Sequence, residues 1–214
     1  MRSIEAAAIA GILHSLLSLV ATFILLAAPD PSEGDQAIRE WYLDEGHQRQ
    51  LILAVNLLTV SSIMFVWFVA VIRRRVGDRE NRFFGTVFLG SALLLTGAWL
   101  AAGVFFAAPA VAAQAFDMVP DASGVALSQA SGITMVSIVA TRLEAVFIIS
   151  TTTVGRLSGA FTQWVVVVGY AVGLTLLLVP VPSVALTWVF PIWVAAMSVM
   201  FLARRDEIKD AIAA

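Results

Sequence analysis

Two charged residues interrupt an otherwise apolar run of the chain, in the segment "ATRLEAV" (residues 140–146). Inside a membrane, arginine and glutamate side chains such as those of Arg142 and Glu144 bind ions, relay protons or hold polar ligands. On an α-helix, residues two positions apart point about 160° away from each other, so a salt bridge between them within the helix is excluded. Each charge therefore needs its own partner, and the pair marks a candidate functional site.

Small and hydroxyl-bearing residues share the face of Glu144 on the predicted helix. Together with Glu144 and Ile148 they recur at alternating intervals of four and three positions: Ala130, Thr134, Ser137, Thr141, Glu144, Ile148 and Thr151. Such a stripe lets helices approach closely and form hydrogen bonds across the contact. The face of Arg142 is apolar instead, with Met135, Ile138, Val139, Val146 and Ile149. The pattern predicts that Glu144 points into a bundle, whereas Arg142 reaches a partner on another side of the helix or extends along an apolar surface.

Other helices place polar residues at the same predicted depth. At 1.5 Å per residue, Arg142 and Glu144 lie roughly 13–17 Å from the cytoplasmic end of their span, near the centre of a ~30 Å hydrocarbon core. We also expect Pro191 to kink the last helix at this level. A charge at the bilayer centre costs on the order of 2.5–3.5 kcal/mol, so partners are expected. The predicted midplane polar network consists of His14, Thr96, Thr141, Arg142, Glu144 and Tyr170.

Within this network, Glu144 is expected to pair with His14 or Tyr170. Arg142 is expected to pair with a backbone carbonyl, with Asn56, or with Glu144 of a neighbouring subunit. Three roles stay open for the network: a polar clamp that fixes helix register, a ligand or proton site, and an interface with another membrane protein.

Several classes of site are not indicated. The chain has no cysteine, which excludes disulfides, thiolate metal sites and cysteine nucleophiles. Its two histidines, His14 and His47, are predicted at different depths, so they do not suit a haem with two histidine ligands. Metal-ligand clusters, nucleophile elbows and phosphate-binding glycine loops are not found either. The sequence therefore predicts no catalytic residues, no metal, no cofactor and no nucleic-acid partner.

The composition indicates a membrane protein. Sixty per cent of the 214 residues are hydrophobic and 13% are charged, which is more apolar surface than a soluble domain of this size can bury. Six apolar stretches reach the roughly 20 residues that a transmembrane helix needs. They cover about residues 4–28, 50–72, 84–108, 127–153, 160–179 and 183–203. The first exceeds a signal-peptide core in length, so we expect it to be a transmembrane helix. The prediction is an all-α, single-domain (1–214) transmembrane bundle of six helices.

Basic residues predict the orientation of this bundle. Most arginines and the single lysine fall in the termini and in the loops after the second and fourth spans, whereas the opposite loops hold Arg39 and Arg49 and an excess of acidic residues. By the positive-inside rule both termini are cytoplasmic, as expected for a multi-pass protein of the bacterial inner membrane. Anionic lipid headgroups are expected to contact one cluster of arginines, with a binding free energy of about 1 kcal/mol per basic residue. The cluster comprises Arg73, Arg74, Arg75, Arg79 and Arg82.

The longest exterior connection, residues 32–47, is predicted to contain a short amphipathic helix. Ser32 and Asp35 are expected to cap it, and Ile38, Trp41 and Tyr42 share one side. We expect the helix to lie in the headgroup layer with the two aromatic residues as interfacial anchors, and a lid over a ligand is the alternative.

Two segments, "RRRVGDRENRFFGTVFLGSALLL" and "TRLEAVFIISTTTVGRLSGAFTQWVVVVGYAVGLTLLL", resemble those of uncharacterised six-helix integral membrane proteins of actinobacterial type. The resemblance implies the same topology and carries no catalytic residues. The function expected from the sequence is non-enzymatic: binding of a lipid or hydrophobic ligand, or an accessory subunit, in a homo-oligomer or a larger membrane complex. The alternative is a small transporter or proton-coupled device that uses Glu144, His14 and Arg142.

Overall fold

The computed structural model describes the backbone of residues 2–76, 82–179 and 183–203, and the side chains of residues 5–73, 85–179 and 183–203. These ranges are helical throughout apart from short connections, and they contain no strand. The helices are α1 (Arg2–Leu25), α2 (Asp35–Leu43), α3 (Glu45–Val76), α4 (Arg82–Phe116), α5 (Ala122–Thr134), α6 (Thr141–Leu157), α7 (Gln163–Leu178) and α8 (Val189–Ala203). A π-helical segment, Met135–Ala140, joins α5 to α6, and 3-10 turns at Pro31–Glu33 and Val184–Trp188 precede α2 and α8.

In the described part of the chain, five helices are long and apolar enough to cross a membrane. They are Glu5–Leu25, Glu45–Arg73, Gly85–Phe116, Ala122–Leu157 and Val184–Ala203. The predicted all-α bundle of apolar helices is therefore confirmed at this level. The predicted span 160–179 is shorter than expected, because α7 has 16 residues and ends at Leu178. Six complete crossings stay a prediction.

Both the first turns of α1 and the last turns of α8 lie at the same end of the bundle. Phe201 of α8 packs against Phe68 of α3 with ring centroids 6.3 Å apart, and a Cβ at Gly11 of α1 would touch the same Phe68 ring. Helix α2 lies at the other end of the bundle, which we call the α2 end. The end shared by α1 and α8 is called the opposite end. The described arginines Arg73 and Arg156 belong to the opposite end.

Two clusters of buried side chains fill the bundle. The aromatic core lies toward the opposite end and includes Phe65, Phe68, Phe88, Phe147, Phe190, Trp193 and Phe201. The α2-end core consists of smaller and aliphatic residues together with two rings: Ala21, Leu25, Ile38, Tyr42, Leu51, Leu58, Phe106 and Val125. The aromatic side chains of the first cluster bury large areas and pack in preferred ring geometries.

The first connection does form a short helix, but α2 packs into the bundle. Ile38 and Tyr42 are fully buried in the α2-end core, so Tyr42 is not an exposed interfacial anchor as predicted, and burial raises the pKa of its phenol. The predicted cap is also wrong. Gly34 precedes α2, and the carboxylate of Asp35 accepts a hydrogen bond from the Ala122 amide at 2.7 Å, which ties this connection to the start of α5.

Pro109 lies inside α4, where its ring nitrogen cannot donate a hydrogen bond to the carbonyl four residues earlier. That carbonyl belongs to Phe105, and the hydroxyl of Ser128 on α5 donates to it instead. A neighbouring hydroxyl is the usual remedy for a proline inside an apolar helix. The contact joins α4 to α5 near the α2 end.

The predicted lipid-contacting cluster falls largely outside the described side chains. Arg73 is exposed at the end of its apolar helix. The side chains of Arg74, Arg75, Arg79 and Arg82 lie outside the described residues. Contact of this cluster with headgroups stays a prediction.

Candidate functional site at Glu144

A π-helical segment sets the direction of the Glu144 side chain. Thr141 donates its hydroxyl proton to the Val136 carbonyl at 2.9 Å, five residues earlier, in place of the α-helical spacing of four. One π turn takes in an additional residue, which rotates the two flanking helices by about 100° relative to each other. Ala130 and Thr134, predicted on the Glu144 face, are consequently exposed. The predicted stripe is wrong at these two positions, and its later members are buried, from Ser137 to Thr151.

The carboxyl group of Glu144 is buried with few partners. The side chain is 2% exposed, the indole Nε1–H of Trp99 donates to Oε1 at 3.3 Å, and Oε2 has no hydrogen-bond partner among the described residues. Ion pairs within the described ranges occur at the α2 end, Asp44 with His47 and Glu45 with Arg49. An isolated carboxylate is very costly in an apolar interior. A carboxyl in this position therefore needs a proton or a bound cation.

A cavity of about 50 Å³ adjoins Glu144 on the side of the α2 end. Its wall is largely apolar but includes hydroxyl and indole groups. The polar contributors, besides Glu144, are Ser18, Thr22, Trp99 and Thr187. One water needs roughly 10–15 Å³ of such space, so the cavity has room for a few waters or a small ion, whereas drug-sized ligands occupy sites of about 300–1,000 Å³.

Two interruptions of regular helix face this cavity. Val136 lies in the π segment, and Thr187 lies in the 3-10 turn before α8. The helix α8 begins at the level of Trp99, because the Phe190 ring lies 5.2 Å from the indole. Pro191 therefore sits in the first turn of α8, where a missing N–H costs no helical hydrogen bond, and the predicted kink is wrong.

His14 lies on the other side of the same indole. Its ring stacks on Trp99 at 5.2 Å and packs 5.0 Å from the Phe65 ring. Nδ1 lies 3.1 Å from the Ser61 carbonyl oxygen and 2.8 Å from the Ser61 hydroxyl, whereas Nε2 has no partner among the described residues. The expected hydrogen bond between His14 and Glu144 is absent from the described contacts, because Trp99 contacts both groups.

Arg142 points away from the site and binds backbone. Its guanidinium donates to the carbonyls of Ser137 and Val179, and Val179 follows the last residue of α7. A cation suits this position, since the last carbonyls of a helix are unpaired and carry partial negative charge. A backbone carbonyl is one of the three partners that the sequence analysis expects for Arg142. The connection from α7 to α8 thus starts near the level of Arg142, which explains the shortness of α7.

The remaining predicted residues have partners of their own. The Tyr170 hydroxyl lies 2.9 Å from the Thr153 hydroxyl, and Thr96 donates to the Ala92 carbonyl at 2.8 Å. Asn56 likewise donates to Ile52 of its own helix at 2.8 Å. Membership of Thr96, Thr141 and Tyr170 in a functional network stays a prediction.

Trp99 was missed by sequence reasoning, although it connects the two buried ionisable groups. One signal was available: a tryptophan deep inside an apolar span has an indole N–H that needs an acceptor. In the chain, Trp99 follows Thr96 by three positions and belongs to the same predicted depth.

No family model, curated protein or solved structure was found to match this chain. Its function is therefore inferred from the geometry around Glu144.

Proposed function

We propose that this protein is a small ion-coupled transporter that binds a proton or a monovalent cation at Glu144. One observation carries the proposal: a carboxyl group that is 2% exposed has one oxygen without a partner and adjoins a cavity of about 50 Å³. Ionisable groups in the middle of apolar bundles are costly, and they mark ion or proton pathways when no opposite charge neutralises them.

The backbone around the cavity supports the same function. The π segment and the 3-10 turn before α8 both line it, and ion sites of secondary transporters are formed by interrupted helices near the middle of the membrane. Glu144 supplies one negative charge, and within the described ranges no three histidine, aspartate or glutamate side chains come together. A singly charged ion is the one that a single carboxylate neutralises.

The proposed topology has six membrane-embedded helices with both termini in the cytoplasm of a bacterium. The chain enters the bundle in α1 and leaves it in α8 at the same end, which supports an even number of membrane-embedded helices. Arg73 and Arg156 lie at that end, whereas at the α2 end acidic residues outnumber Arg39 and Arg49, which agrees with the positive-inside rule. In this topology α7, about 24 Å long, is embedded without a complete crossing.

A lipid or hydrophobic ligand inside the bundle has less support, because the cavity at Glu144 is too small for an acyl chain. Lipid contact is better placed on the outer surface, in an apolar groove between α4 and the π segment. Gly97, Ile138 and Val139 belong to its wall. Association with itself or with another membrane protein stays a prediction.

The test uses dicyclohexylcarbodiimide, an apolar reagent that couples to protonated carboxyl groups. With the protein in lipid nanodiscs, we expect a mass-spectrometric adduct at Glu144 that decreases as pH rises or as Na⁺, Li⁺ or K⁺ is added, and no adduct at this position in Glu144→Gln. Loss at high pH alone identifies a proton site, and protection by one cation identifies a cation site. Labelling of Glu144 that changes with neither pH nor cation, or no labelling at all, would contradict the proposal.

A further inference from the structure

The bundle holds a second buried ionisable group whose polar atom lacks a partner. His14 is 0% exposed and Nε2 has no hydrogen bond within the described part of the chain, although Ser61 holds Nδ1. Buried polar atoms are nearly always paired, so two unpaired ones close together, His14 Nε2 and Glu144 Oε2, call for a shared explanation.

Trp99 brings the two groups near each other and also separates them. The imidazole lies 5.2 Å from the indole ring, and the carboxyl lies 3.3 Å from its Nε1. Together these contacts keep the two groups within roughly 11 Å, a range over which two charges in a protein interior change each other's proton affinity by about tenfold. Trp99 and Glu144 line the cavity, whereas His14 is not part of its wall.

The other elements packed against His14 present neutral groups. Helix α3 contributes Ser61 and Phe65, and α8 contributes Phe190 at 6.3 Å. Among the described residues, Glu144 is thus the charged or titratable group that faces His14, across the indole. Toward the opposite end, the buried hydroxyl of Ser198 lies where a Cβ at Gly11 would be, one helical turn before His14, and it too has no partner among the described residues.

We propose that His14 is a second proton-binding site, in series with Glu144, and that Trp99 is the movable partition between them. This proposal rests on the proposed function and concerns its proton-binding form. When the indole moves aside, the protonated carboxyl of Glu144 transfers its proton to Nε2 of His14. The products are a carboxylate and an imidazolium, which stabilise each other. Release of that proton toward Ser198 and the opposite end returns the imidazole to its neutral form.

The test follows the charge of His14 directly. Because the chain has two histidines, His47→Gln leaves one imidazole, and ¹⁵N-histidine labelling gives the nitrogen signals of His14 alone. In nanodiscs we expect these signals to change from neutral imidazole to imidazolium as pH falls. Over the pH range in which Glu144 is ionised, adding Glu144→Gln should weaken proton binding at His14 about tenfold, since no carboxylate then stabilises the imidazolium, and Glu144→Asp should give a smaller loss.

Thr153→Val is the matched control, because it removes a hydroxyl that bonds Tyr170 on the far side of α6 and should leave the His14 titration unchanged. The proposal is overturned if His14 does not titrate, if its titration ignores both Glu144 substitutions, or if Thr153→Val shifts it equally. Should Glu144→Gln fail to fold, Glu144→Asp carries the comparison. Carbodiimide labelling of Glu144 that depends on pH, combined with an indifferent His14, would refute the series of sites and leave the proposed function standing.

Discussion

The two halves of the bundle, on either side of Glu144, differ in what fills the space between the helices. Toward the opposite end, Phe147 packs on Phe65 and Phe88 at 5.1 and 5.0 Å, with Phe190 beside them at 5.7 Å. Toward the α2 end, the helices leave a cavity of about 50 Å³ with hydroxyl groups in its wall. Both halves are apolar in sequence, yet one is closed by rings and the other has room for water or an ion.

This difference gives the site a direction. Glu144 lies at the boundary between the two halves. Its carboxyl group adjoins the cavity and has one oxygen, Oε2, without a partner among the described residues. The aromatic core begins one turn farther along α6, at Phe147. An ion that reaches the carboxyl from the α2 end meets close-packed rings beyond it. We infer that ions reach Glu144 from the α2 end, because a carrier with alternating access requires a site that is closed on its other side.

The largest expected effect comes from removing a ring from the closed half. Phe147→Ala deletes a fully buried side chain and leaves a void among Phe65, Phe88 and Phe190, so we expect a loss of about 3–5 kcal/mol in unfolding free energy. Unfolding by denaturant in mixed micelles measures it. Phe23→Ala is the matched control, because Phe23 is 71% exposed on α1 and should cost less than about 1 kcal/mol. Equal losses for the two variants would contradict a close-packed aromatic core.

An intermediate effect on stability is expected for Arg142, and it distinguishes this residue from Glu144 in the same "ATRLEAV" segment. Arg142→Met leaves the carbonyl of Val179 unpaired at the end of α7, and we expect a loss of about 1–3 kcal/mol in the same unfolding measurement. Glu144→Gln breaks no ion pair among the described residues and keeps an acceptor for Trp99, so its cost should stay below about 1 kcal/mol. A loss above 2 kcal/mol for Glu144→Gln, matching that of Arg142→Met, would make Glu144 a structural clamp and remove the distinction between the charges.

The sequence predicted the all-helical bundle of apolar helices, because this feature depends on residue type summed over long segments. Runs of apolar residues specify membrane helices whatever their detailed packing, and five of the predicted spans correspond to long apolar helices. Individual side-chain directions were harder to predict. A periodicity of 100° per residue assumes an unbroken α-helix, and the π segment Met135–Ala140 rotates Ala130 and Thr134 out of the Glu144 face.

Contacts between helices were beyond sequence reasoning for a related reason. The pairing of Glu144 with Trp99, 45 positions away, depends on how α4 and α6 cross, and residue spacing carries no information about that crossing. The same holds for α2, whose aromatic residues suggested a membrane-surface helix. Its burial comes from the packing of Ile38 and Tyr42 in the α2-end core, beside a hydrogen bond between Asp35 and Ala122, 87 positions apart.

Access to thiols placed in the two halves tests the central claim most directly, and the chain has no native cysteine. Thr22→Cys places a thiol in the cavity wall, and Ser198→Cys places one in the closed half, at a position that is 0% exposed. Ag⁺, a thiol-reactive ion of similar size to the alkali cations, is added on the α2 side of sealed vesicles. Remaining thiols are counted with a fluorescent maleimide after denaturation. We predict that Ag⁺ blocks the thiol at position 22 at least tenfold faster than the thiol at position 198. Equal rates, or faster reaction at position 198, would contradict a site that opens toward the α2 end.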